Sequence, residues 1–130
     1  RPFVPEVGDL HDTADAAMDA IVEKLKPGTH ATELVEASSV IEDAGFSTYD
    51  DLIHGFGGGY LPPVLGSKSR PAGPIPDFTL KPNMCLVVQP NVITTNEQAG
   101  VQTGDTFRIT ETGAESLHNV ARGFGRVDPD

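Results

Sequence analysis

The sequence is short of basic residues, of cysteine and of long apolar runs. Nine Lys and Arg stand against 19 Asp and Glu, for a formal net charge of −10. The basic residues are scattered and form no patch, so a phosphate backbone or an anionic lipid surface finds little to hold it. Nucleic acid and membrane are therefore excluded as expected partners. The acidic balance reads as a solvated surface. The lone cysteine, Cys85, has no mate for an internal disulfide. It sits in the apolar run Met84-Cys85-Leu86-Val87-Val88, a usual home for an inert buried thiol. Cysteine usage leaves the redox compartment open, and the cytoplasm is the expected location. No run reaches the ~20 apolar residues of a membrane span.

Several kinds of chemistry are missing too. There is no His-x-x-x-His or paired-Cys spacing for a metal, and no Gly-x-Ser-x-Gly elbow for a nucleophilic serine. Gly55-Phe56-Gly57-Gly58-Gly59 is not a dinucleotide fingerprint, because Leu61-Pro62-Pro63 forbids the helix that would have to follow.

What is present is a chain of 130 residues with 38% hydrophobic content, enough for one small domain with a core. Leu10, Ala14, Ala17, Met18, Ile21, Val22 and Leu25 recur at helical spacing and predict an amphipathic helix over 8–26. Acids near its start and Lys24 and Lys26 at its end suit the helix dipole, and Pro27-Gly28 stops it. A second helix is expected over 32–44, with Thr32 as N-cap and Gly45 as the stop. Residues 60–83, rich in Pro, Gly and Ser, read as an irregular loop. A buried strand is expected at Met84–Val88, continued by Val92–Thr95. A strand over about 105–111 and a short return strand at Glu115–His118 make a hairpin around Glu111-Thr112-Gly113. Helices followed by strands define an α+β domain.

Of the histidines, His11 lies among acids on the first helix, His30 in a turn, and His118 near a strand end; all three read as structural. His54 differs. It stands between an apolar dipeptide and a glycine run, where a small ligand could approach.

Order and spacing carry a resemblance. "EKLKPGTHATELVEASSVIEDAGFSTYDDLIHGFGGG" is similar to the helix, Pro-Gly turn, second helix and Gly-His-Gly-Ile-Gly loop of the pita-bread family of methionine aminopeptidases, Xaa-Pro peptidases and creatinase. "LKPNMCLVVQPNV" resembles that family's Leu-x-x-Gly-Met-x-x-x-x-Glu-Pro-Gly strand, and "GVQTGDTFRITETGAESLH" its last hairpin. The resemblance implies a pita-bread fold: a curved antiparallel sheet with helices on its outer face. Residues 1–130 would be the later part of that domain. "RPFV" looks like the strand that follows the family's two metal-ligand aspartates, so that hairpin is expected upstream of Arg1, in a processed or partial product.

The family's two metal ions, Mn, Co or Zn, are held by two Asp, one His and two Glu. By resemblance the His falls on His54. The first Glu falls on Gln89 and the second on Gly104, with Asp105 beside it. The family's proton-transferring His-Glu pair falls on Leu61-Pro62, and the Arg of the last hairpin on Gln102. Hard cations about 3.5–4 Å apart need anionic bridges, which an amide and a glycine do not supply. No metal cofactor is therefore expected. The resemblance then implies a metal-independent, creatinase-like hydrolase or lyase of a small amide or C–N bond. His54 would be the acid/base, and Gln89, Gln102, Tyr60 and Asp105 the groups around a small-molecule or short-peptide substrate. The alternatives are a non-catalytic binding module, or an Xaa-Pro peptidase with a reduced metal site. A partner is also expected, either the upstream segment or a second copy in a homodimer.

Overall fold

The computed structural model describes residues 5–123, 125, 127 and 128, with the side chains of residues 5 and 6 left aside. The strand expected at "RPFV" lies outside the described residues.

Helix α1 runs Pro5–Lys24. It opens on proline, whose fixed φ and missing N–H suit a first helical position. Leu10, Ala14, Ala17, Met18 and Ile21 are fully buried along one stripe, as their spacing predicts. The second helix differs from expectation in two ways. Its N-cap is His30 rather than Thr32: the His30 ring accepts from the Thr32 N–H, and the Glu33 carboxylate accepts from the His30 N–H at 2.8 Å. That reciprocal pair satisfies two amides left open at a helix start. The helix also breaks into α2 (Ala31–Ala37) and α3 (Val40–Asp43). Buried Ser38 donates its hydroxyl back to the Val35 carbonyl at 2.7 Å, a local bond that competes with continued helix.

Among the described residues seven strands follow: β1 (Ile53–Phe56), β2 (Tyr60–Leu65), β3 (Cys85–Val88), β4 (Asn91–Ile93), β5 (Gly100–Gln102), β6 (Asp105–Ile109) and β7 (Ala114–Ser116). Five form one sheet in the order β2-β1-β3-β6-β7, and every pairing is antiparallel. β2 corrects the loop expected from Tyr60 onward. Pro62 and Pro63 cannot donate to a ladder, yet an edge strand needs donors on one side only. The glycines before it make the turn: Gly58 has φ +81 and Gly59 φ +153. Gly55 is required for a different reason, since a Cβ there would lie 2.3 Å from the Pro62 carbonyl oxygen.

The second correction concerns Val92–Thr95. These residues do not continue β3. The chain leaves the sheet at Gln89-Pro90, and β4 pairs with β5 in a separate two-stranded ribbon against which α1 packs. The hairpin of β6 and β7 stands as expected. Side chains alternate across each strand. Leu86 and Val88 of β3, and Phe107 and Ile109 of β6, enter the core with the helix stripes. The opposite face of the sheet is left for other work.

Candidate functional site

The register places that other face residue by residue. His54 pairs with Val87 and Val87 with Thr106, so the three lie in a row across β1, β3 and β6. Gln89 follows Val87 by two and shares its side. A Cβ on Gly104 would lie 3.6 Å from the Gln89 Cβ. His54, Gln89 and Gly104 are thus neighbours on one surface.

His54 is only 7% exposed. Its Nδ1 lies 2.9 Å from the Gly55 carbonyl oxygen, which can only accept, so Nδ1 carries a proton and donates it there. The Tyr60 ring stacks on the imidazole at 4.1 Å between centroids. Gln89 donates Nε2–H to Oδ2 of Asp51 at 3.2 Å. Asp51 is buried, and burial raises its pKa, against the opposing pull of the Tyr60 hydroxyl and the His54 ring. Tyr60 has a 56% exposed side chain whose hydroxyl faces Asp51; lost hydration there, together with the Asp51 and Asp50 carboxylates, pushes its pKa up to about 12. Asp51 therefore links Tyr60, His54 and Gln89. Nothing in its local sequence marks it, because only the tertiary fold brings Gln89 to it.

Beyond Gln89 the same face opens into a cavity of about 430 Å³, lined by Gln89, Gln102, Gly104, Asp105, Thr106 and His118 among others. Three of the expected substrate-binding residues, Gln89, Gln102 and Asp105, meet here. His54 and Tyr60 are not among the residues that line it. His118, read from sequence as structural, stands at its wall with Nδ1 3.3 Å from Oδ1 of Asp105. The signal was available: Phe107 pairs with Ser116 across a tight turn, so the same register sets residue 105 opposite 118.

Of the positions that the family resemblance gives to metal ligands on this face, His54 keeps an imidazole, Gln89 offers a neutral amide and Gly104 has no side chain; hard cations prefer carboxylates to amides. Asp105 already accepts from the Thr106 N–H and the Ser116 hydroxyl, both at 2.7 Å. Among the described residues no group of three or more His, Cys, Asp or Glu side chains is placed to hold an ion. A second cavity of about 360 Å³ lies between Val35 and the 64–75 segment.

Comparison with known proteins decides the lineage. The family model for metallopeptidase family M24 matches residues 2–111. The chain belongs to metallopeptidase family M24. No curated protein sequence matches it significantly. Solved structures show the M24 pita-bread fold. A prolidase from Pyrococcus furiosus is similar at 25% identity and a TM-score of 0.76, over 94% of this chain and 35% of its own. Dipeptidase PepE from Mycobacterium ulcerans is similar at 23% identity and a TM-score of 0.75, over 91% and 31%. A methionine aminopeptidase from Rickettsia prowazekii is similar at 21% identity and a TM-score of 0.72, over 87% and 52%. The chain therefore spans about a third of the first two M24 structures and about half of the third. Among the described residues no helix is long and apolar enough to cross a membrane.

Proposed function

We propose that this M24 chain supplies the imidazole side of a metal-independent site for a small amide or C–N substrate, a creatinase-like hydrolase or lyase. The observation that carries the reading is the His54 ring. Its Nδ1 is tied to the Gly55 carbonyl, so Nε2 is held as the basic nitrogen. Such a nitrogen takes a proton from the attacking water or substrate and returns it to the leaving nitrogen. The loss of both carboxylate positions, to Gln89 and Gly104, supports chemistry that does not run through paired metal ions. Gln89, Gln102 and Asp105 line the cavity a substrate would enter, and Tyr60 would meet it over the His54 ring.

The test offers the chelator-treated full chain a panel of small amides: Gly-Pro, N-acetylglycine and creatine. Turnover should survive chelation and fall about 100-fold or more in His54→Gln. Turnover that needs added Mn, Co or Zn would contradict the proposal. A second reading, a non-catalytic binding module, is favoured by the stacked Tyr60 over a nearly inaccessible ring. Under that reading ligand binding persists in His54→Gln and no amide turns over.

Exposed Phe56, Tyr60 and Leu61 at the β1–β2 end support a companion surface, either the rest of a pita-bread domain or a second copy of the chain. Sedimentation of the full chain should show a dimer or a stable complex; a lone monomer of 13.7 kDa would count against it.

A further inference from the structure

By resemblance the family's proton-transferring imidazole position falls on Leu61, whose side chain has no ionisable proton. A different imidazole reaches the same face from the other end of the sheet. Val87 and Thr106 lie in the row that starts at His54, and both line the cavity whose wall is His118. Neighbouring strands are about 4.8 Å apart, so the two imidazoles flank one surface from opposite sides.

We propose that His118, oriented by Asp105, is a second ligand-binding imidazole of this pocket and that it recognises the N–H of a carboxamide. Asp105 is the positioning residue. Its carboxylate lies 3.3 Å from Nδ1 of His118, and a neutral imidazole keeps its proton on the nitrogen that faces a carboxylate. That leaves the Nε2 lone pair as an acceptor. Asp105 is itself held in place, by the Thr106 N–H and the Ser116 hydroxyl. The Ser116 hydroxyl also receives the His118 backbone N–H, which fixes the start of the segment that carries the ring. Gln89 and Gln102 supply amide groups on the same wall, and Gly104 leaves room between them by having no side chain. An accepting imidazole beside two amides matches a ligand that offers both an N–H and a C=O. A carboxylate ligand would meet the Asp105 charge at the same wall.

This inference deepens the small-amide reading above and rests on it for the class of ligand, but its test does not need turnover. The probe is N-acetylglycinamide, titrated into the full chain and followed by NMR. The ring resonances of His118 and the side-chain amides of Gln89 and Gln102 should shift together, and ring ¹⁵N shifts should show the Nδ1–H tautomer. His118→Phe keeps a ring at this half-exposed position and removes both nitrogens; it should weaken probe binding about tenfold. Asp105→Asn should move the tautomer toward Nε2–H and weaken binding similarly, while the amide resonances of the hairpin stay in place. Probe binding through these groups without any amide turnover upholds this site and sinks the catalytic reading. Amide turnover with probe shifts and affinity unchanged in both variants sinks this site and leaves the catalytic reading standing. Absence of probe shifts at His118, Gln89 and Gln102 also overturns it.

Discussion

Leu86 and Val88 leave β3 on one side, Val87 and Gln89 on the other, and the two faces of the sheet follow different rules. The helix-facing side is apolar and closed. Its residues are interchangeable in kind and constrained in volume, as a packed core requires. The open side carries His54, Gln89, Gly104 and Thr106, and there one substitution changes the chemistry without touching the packing. The M24 scaffold can therefore be kept while the groups on its open face vary.

The largest expected effect tests the closed face. Leu86→Ala should cost about 2–5 kcal/mol in urea denaturation, because a fully buried side chain leaves a cavity. A loss under about 1 kcal/mol would mean that this face is not the core. Gly55→Ala comes next. Its Cβ would press on the Pro62 carbonyl, so β1 and β2 must part, at roughly 1–3 kcal/mol. An unchanged melting temperature would contradict the close approach.

Two carboxylates then sharpen the contrast. Glu42, on the helix side, accepts from the Ser69 N–H at 3.0 Å and from its hydroxyl at 2.7 Å. Burial pushes its pKa up, but the Ser69 bonds outweigh that and hold it below the ordinary value. Its folded pKa is the lower one, so it contributes stability above the unfolded value of about 4.3 and loses it as pH falls. Glu42→Gln should therefore cost about 1 kcal/mol at pH 7 and much less near pH 2, read from denaturation midpoints at both pH values. Asp51, on the open face, titrates the other way. Burial raises its pKa, so its contribution is complete below about 3.9 and is lost as pH rises through the folded value. Asp51→Asn should gain under about 1 kcal/mol at pH 7 and nothing near pH 3. A loss at pH 7 would show that Asp51 holds the site together as a charge rather than straining it.

How much of this was readable in the sequence follows the same division. α1, β3 and the β6–β7 hairpin announce themselves through apolar periodicity, because burial on one face imposes it. β2 does not, since Pro62 and Pro63 hide an edge strand behind turn-like composition. The break at Ser38 is a side-chain bond that helical spacing does not record, and His30, two residues before Thr32, caps the helix with a ring nitrogen. On the open face, the adjacency of His54, Gln89 and Gly104 came from the resemblance to the pita-bread family rather than from any periodicity. Asp51 and His118 carry no local signal: the partner of Asp51 is distant in sequence, and His118 lies beyond the paired residues of a short hairpin.

In the function proposed above, imidazole and amide groups on this face work without paired ions. Calorimetric titration of chelator-stripped full chain with Mn²⁺ tests it most directly. The expected result is no stoichiometric binding, with identical traces for the parent and His54→Ala. Two Mn²⁺ bound per chain, lost in His54→Ala, would contradict it.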